Sequence, residues 1–178
     1  MEQDYKEIYS RDTLEFVTVA AELCAYLEQS AGRSRLAFVD TLLKILPLLY
    51  LKASVLNFPE ENEDVYLEEL VTETDYEYVR GVVAVVMGEQ DDYLDVFVRD
   101  MKYSDTPIIK TISEDVADIY QALRNFVGIY KEGFDESMYA ALMEVLDNFR
   151  FYWGQTLVNT LRALHDVRYN QRIAEEID

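Results

Sequence analysis

Apolar residues return every three or four positions through most of this chain, and little interrupts them. Phe16, Ala20, Leu23, Cys24 and Leu27 fall on one helical stripe. A second stripe runs Val116, Ile119, Tyr120, Leu123, Phe126, Val127, Tyr130. A third takes in Leu142, Val145, Leu146, Phe149, Trp153, Leu157, Leu161 and Leu164. Six Gly and three Pro in 178 residues leave few places for turns, and no repeat or Gly/Ser/Pro-rich linker divides the chain. The pattern predicts a single all-α domain over 1–178, with frayed ends near 1–10 and 171–178. An irregular multi-helix bundle of about five to seven helices fits that length.

Capping residues place the helices. The first is predicted from about Asp12 to Gln29, with Asp12 and Glu15 at capping-box spacing and Ser30-Ala31-Gly32 ending it. Ser34 is a good N-cap for the second, where Val39, Leu42, Leu43, Leu46, Leu49 and Tyr50 follow one face. Ile45, Leu48 and Leu51 fill much of the rest, so this helix is expected in the middle of the bundle. Asp40 and Lys44 mark its wet edge, and Pro47 should kink or break it. An acidic loop covers 57–64, and a short helix is expected near Val65 to Leu70. Thr74 and Glu77 form a capping box for Val79, Val82, Val83 and Val86, and Gly88 closes that helix. Leu94, Val96 and Val98 alternate like a strand while Tyr93, Phe97 and Met101 step like a helix, so 89–112 is left open between strand, helix and loop, with a minor β-hairpin using Ile108 and Ile109 allowed for at 94–112. Ser113 opens the next helix and Gly133 stops it. The last opens at Asp135 and runs past Tyr169, with a bend or break at Gly154.

Charge narrows the function. The formal net charge is −19, and 57–105 alone holds fifteen acids against three bases. Such a field repels nucleic acid, whose binding depends on neutralising phosphates with Lys and Arg. It attracts a basic protein, or serves solubility alone. The polar, acidic start lacks the layout of a signal peptide, and Ile45 to Leu51 is far shorter than the roughly 20 apolar residues of a membrane span. With one cysteine there is no internal disulfide. A soluble cytoplasmic protein is expected, with no membrane partner and no direct nucleic-acid binding.

Chemistry-bearing patterns are sparse. A di-metal bundle site needs a Glu-x-x-His on each of two helices, and here the one histidine, His165, follows Arg162 instead. No zinc or calcium spacing, phosphate loop or nucleophile elbow is present, so no metal, cofactor or catalytic residue is assigned. Cys24 lies on an apolar stripe, where an inert buried thiol is expected. His165 is expected half-buried at the flank of its helix, bonded to a carbonyl or acid. Asp118 faces away from its apolar stripe, toward solvent or another element. Arg162, His165, Tyr169 and Arg172 form a modest basic-aromatic edge, expected to pair with acids of the middle third. Tyr50 and Tyr120 are expected in the core.

Leu49-Tyr50-Leu51-Lys52, Ser113 to Gln121, Tyr152-Trp153-Gly154 and Leu164-His165, in that order and spacing, resemble domain-of-unknown-function family 5063 of bacterial proteins. The resemblance spans about Leu14 to Tyr169 and implies a compact helical domain with no known activity. The leading expectation is a non-enzymatic acidic interaction domain that docks on a basic partner through Glu60, Glu61, Glu63 and Asp64. One rival is a small-molecule or catalytic pocket between helices, built from Lys52, Tyr120, Trp153 and His165. Another is an acidic mimic of nucleic acid. The oligomeric state is not readable. Trp153 is expected to be a core anchor, so Trp153→Ala should cost about 3–5 kcal/mol, read as a lowered melting temperature. A melt within a degree or two of the parent would mark the ring as exposed.

Overall fold

The computed structural model describes residues 5–56, 65–95 and 107–170. After a 3-10 turn at Lys6–Tyr9, six α-helices follow: α1 Arg11–Glu28, α2 Arg35–Ser54, α3 Glu73–Met87, α4 Ile112–Glu132, α5 Asp135–Asn148 and α6 Gly154–Tyr169. A two-stranded hairpin, β1 Asp92–Asp95 with β2 Ile108–Thr111, joins α3 to α4. Its strands are antiparallel, with Tyr93 opposite Lys110 and Leu94 opposite Ile109. The expected all-α bundle with a minor hairpin is what forms.

Side-chain caps set most helix starts. Ser10 caps α1 by accepting from the Thr13 N–H at 3.2 Å, so the helix begins just before the Asp12/Glu15 pair. Ser34 caps α2 as expected. The capping box of α3 is Thr72 with Asp75, not Thr74 with Glu77. Glu77 lies within the helix instead and pairs with Arg80 at 2.7 Å. Thr111 caps α4, and Gly133, at φ +82°, ends it in the left-handed region that favours glycine. The Val65 to Leu70 segment is not a helix. It runs as an irregular strap over α4, and Asn125 Oδ1 accepts the backbone N–H groups of Leu70 and Val71, both at 2.8 Å. One side chain thereby supplies what a helical turn would have supplied.

Helix α4, not α2, occupies the middle. It packs against α1, α3, α5 and α6, while α2 packs mainly on α1 and α6. Phe38, Val39, Leu42, Leu46, Leu49 and Ala53 form the buried face of α2, and Leu36, Leu48, Tyr50 and Leu51 are exposed. The expected core position of Tyr50 is therefore corrected: its ring meets Phe149 edge-on, with centroids 5.0 Å apart, at the surface. Pro47 does not break α2. It sits on the exposed side, where water can satisfy the Leu43 carbonyl that loses its donor.

The long C-terminal stripe is interrupted where Gly154 stands. Phe149–Trp153 form a π turn, in which the Gly154 N–H reaches back five residues to the Phe149 carbonyl. Trp153 is fully buried, donates its indole N–H to the Val145 carbonyl at 2.8 Å, and stacks on Phe16. A Cβ on Gly154 would overlap the Phe149 carbonyl oxygen and lie 2.9 Å from two atoms of the Phe149 ring. Gly81, inside α3, has nothing within 4 Å of that position. Two glycine-to-alanine changes should therefore have opposite signs. Gly81→Ala should stabilise by about 0.5–1 kcal/mol through helix propensity. Gly154→Ala should destabilise by about 1–3 kcal/mol through overpacking. Denaturant midpoints at unchanged slope test both.

Candidate functional site

The strap, α4, α5 and the π turn enclose a groove of about 270 Å³. Its walls are set by local rules. Asn125 fastens the strap, and Gly128 leaves room for Leu70, whose side chain a Cβ there would overlap. Glu68 and Glu69 are thus held above α4. Asp118, Gln121 and Asn125 rise from α4 at i, i+3 and i+7, one face of a helix. Glu144 and Asn148 face them from α5 at i, i+4, and Phe126, Ile129, Ala141 and Val145 give the floor its apolar part. Among the described residues four carboxylates line the groove, and no base does.

Asp118 is the ordered member of that set. The Tyr76 hydroxyl of α3 donates to its Oδ1 at 2.7 Å, and Tyr152 of the π turn lines the same groove. Both tyrosines titrate above their ordinary value, first because they are part-buried and then because the Asp118 carboxylate is near them. Of the two outcomes left open for Asp118, the second holds: it meets other elements.

One turn back along α4, Asp115 is buried among apolar neighbours. The Tyr93 hydroxyl donates to its Oδ2, and the Thr160 hydroxyl of α6 lies 3.1 Å from the same atom. Asp91 accepts from Ser113 N–H at 2.8 Å and Ser113 Oγ at 2.6 Å, pinning the base of the hairpin to the start of α4. Ser113, expected to open the helix, instead serves as this buried donor. Burial holds the Asp115 carboxyl up at about 6, against the lowering effect of Tyr93, Lys110 and Thr160.

The residues expected to form a pocket lie apart. Lys52 pairs with Glu15 at 2.7 Å, beside a depression shared with Tyr9, Leu14 and Val19. Tyr120 is buried, and its hydroxyl reaches Glu28 at 3.3 Å. Those two anchors are thirteen residues apart on α1, about 20 Å of helix. Trp153 is enclosed in the core. His165 is exposed rather than half-buried; its ring lies 4.7 Å from that of Tyr169, and it lines a separate cavity with Tyr93 and Arg162. Arg162 and His165 of the expected basic-aromatic edge pair with no acid among the described residues, and Arg172 lies outside them; Arg168, beside that edge, pairs with Asp40 of α2 at 2.7 Å. Cys24 is buried and its thiol is pushed up to about 12, an unreactive form. Glu60, Glu61, Glu63 and Asp64, the expected acidic interface, lie outside the described residues.

Sequence reasoning missed the groove and Asp115, though signals for both exist. Asp118, Gln121 and Asn125 make a polar stripe on a helix whose other faces are apolar, and Glu144 and Asn148 make a second on its neighbour. Asp115 sits three residues after Ile112 and four before Ile119, so it falls on the apolar stripe itself. Among the described residues no three His, Cys, Asp or Glu side chains are grouped to hold a metal ion, and no helix is long and apolar enough to cross a membrane.

The fold and groove define a helical bundle with a carboxylate-lined cleft over its central helix. The chain belongs to the family described as domain of unknown function DUF5063, whose profile matches residues 7–170. It is similar to the crystal structure of protein BF1032 from Bacteroides fragilis: 47% identity, 92% of this chain and 99% of that one covered, TM-score 0.80. No curated protein matches it.

The raised Asp115 carboxyl has a consequence for stability. Its folded value of about 6 lies above the ordinary 3.8, so between the two the folded state holds a proton that the unfolded chain releases. This group's contribution to stability is therefore present at the acid end. It is lost as pH rises through about 4 to 6, and is flat above that window. Asp115→Asn keeps an acceptor for Tyr93 and Thr160 and removes the charge. The variant should lose this falling component and be the more stable protein at pH 7. Chemical denaturation at half-unit steps from pH 4 to 7 tests it; parallel curves for parent and variant would refute the assignment.

Proposed function

We propose that this domain is a non-enzymatic acidic interaction module that docks on a basic protein, with the groove over α4 as its seat. The observation that carries this reading is the composition of the groove: Glu68, Glu69, Asp118 and Glu144 with no cation among the described lining residues. A Lys or Arg side chain suits such a place. Its methylene stem would lie on Phe126 and Ile129 while its head meets the carboxylates and amides. The wider charge adds to this, since Glu68 and Glu69 belong to the segment 57–105 with its net of −12. A field of that sign accelerates encounter with a basic surface and repels nucleic acid.

The test is capture of a partner from the native cell, followed by kinetics with the purified pair. Glu68→Gln, Glu69→Gln and Glu144→Gln are combined in one variant, because these exposed carboxylates have no hydrogen bond or ion pair among the described residues. Asp118 is left alone because it holds Tyr76. The partner should be basic. Association should slow by about tenfold or more in the variant and fall steeply with salt, with dissociation changing less. The melting temperature should stay at that of the parent. A neutral or acidic partner, or binding indifferent to salt and to the three changes, overturns the reading.

A further inference from the structure

The acids of this chain are unevenly placed, and 41–59 and 148–165 are its two longest stretches without one. The first covers most of α2, and the second covers the π turn and most of α6. Distant in sequence, they lie side by side. Arg168 at the end of α6 pairs with Asp40 near the start of α2. Tyr50 near the end of α2 meets Phe149 of the π turn, so the two helices run antiparallel. A chain of net charge −19 therefore has one side whose helices carry no carboxylate over most of their length.

That side is also apolar where water meets it. Leu48 and Leu51 of α2 and Val55 at its C-cap stand at i, i+3 and i+7, one helical face, each between 42 and 54% exposed. A helix apolar on nearly every side is ordinarily covered on every side, yet among the described elements α2 is covered mainly by α1 and α6. Beside the ridge lies a hollow of about 540 Å³, lined by Tyr9, Leu14, Val19 and Lys52. Lys52 follows Leu48 by one helical turn, so ridge and hollow adjoin. Both bases of α2 beyond Asp40 are engaged within the chain. The Lys44 amine donates to the Asp40 carbonyl at 3.2 Å, and Lys52 pairs with Glu15 at 2.7 Å. The ridge thus offers apolar contact rather than uncommitted positive charge.

We propose that this face is a self-association surface, on which a second copy of the chain docks about a two-fold axis. The Leu48–Leu51–Val55 ridge of each copy enters the hollow of the other. An isologous interface needs one patch that supplies both a projection and a recess, and ridge and hollow are that pair. Charge selects the occupant. Two chains of net −19 repel wherever their acids meet, and contact through α2 and α6 sets the fewest carboxylates between them. Size allows it. A 20-residue helix is about 30 Å long, and neighbours at about 8–10 Å on either side make a face of about 750 Å². Standard interfaces bury about 800 Å² per partner. The acidic groove stays free in such a dimer, because it shares no lining residue with the hollow. The two surfaces stand independently.

Sedimentation equilibrium of the full chain at physiological salt tests this. The mass should be twice the 20.8 kDa of one chain, with a Kd below about 10 μM. Leu48→Glu combined with Leu51→Glu should raise that Kd at least about hundredfold. Leu14→Glu, in the hollow and on another helix, should raise it at least about tenfold. These side chains are exposed, so circular dichroism should match the parent; if the double variant does not fold, Leu14→Glu alone carries the test. Ile109→Glu, exposed on the hairpin, should leave the Kd unchanged. Added salt should tighten the dimer by screening the remaining repulsion, whereas it weakens docking of a basic protein on the groove. A monomer at every concentration up to about 200 μM overturns the proposal, even one that captures an acidic protein or binds anionic vesicles. A dimer indifferent to changes in both ridge and hollow, or weakened by salt, also overturns it. A dimer without capture of a basic partner, or capture without a dimer, separates the failure of one surface from that of the other.

Discussion

Burial of α4 is the constraint on which the other elements depend. Four helices are laid against it, yet it carries Ser113, Asp115, Asp118 and Asn125 on its sides. An unpaired polar group in such a place costs roughly 1–3 kcal/mol, so each must find a partner before the bundle can close. They do so from four directions: Asp91 from the turn before the hairpin, Tyr93 from β1, Tyr76 from α3, and the strap backbone from 70–71. The polar bonds therefore decide which segment lies beside which stretch of α4, whereas apolar contact alone would tolerate several arrangements. The hairpin and the strap have little core of their own. Their positions follow from these attachments.

The π turn does a second job of placement. A continuous α-helix would carry Phe149, Tyr152 and Trp153 along one register. Inserting the wider turn lets Trp153 enter the core against Phe16 while Tyr152, its chain neighbour, stays half-exposed and lines the groove with Asp118. Such insertions are often found at functional sites. Here one side of the insertion anchors the aromatic column and the other completes a wall of the cleft. Gly154 is what allows it, because any side chain at that position meets the carbonyl that the turn has brought round.

Much of this fold was legible in the sequence, and the parts that were not share a physical cause. Stripes at helical period, Ser34 before α2, Gly133 after α4 and the interruption at Gly154 are all local, and local signals are written in neighbouring residues. The hairpin was only half legible: alternation near 94 and the pair Ile108-Ile109 allowed it, Tyr93, Phe97 and Met101 at helical spacing spoke for a helix, and Val96 and Val98 lie outside the described residues. The errors came where a distant residue decides. Val65 to Leu70 resembled a short helix because nothing nearby reveals that Asn125, more than fifty residues later, takes its N–H groups. Thr74 and Glu77 had the better composition for a capping box, but the chain enters α3 two residues earlier, at Thr72. Helix α2 is apolar nearly all round and was expected innermost. Hydrophobicity states a preference for burial, and the number of faces that can be covered is set by how the other helices are shared out. The grouping of Lys52, Tyr120, Trp153 and His165 rested on residue type, and the fold scatters those four.

The distribution of ion pairs bears on why the acidic charge is where it is. A charge whose role is solubility can stand anywhere on the surface, and pairing with a neighbouring cation does not harm it. Glu15, Glu28, Asp40 and Glu77 are of that kind, each within 4.0 Å of a Lys or Arg. The carboxylates of the cleft differ in two ways. They line a concave surface, whose low-dielectric walls focus the field of like charges. They also lie beside amides and an apolar floor, which a freely solvated face does not need. A cation brought into the cleft, as the proposed basic ligand would bring one, meets carboxylates with no competing base among the described lining residues.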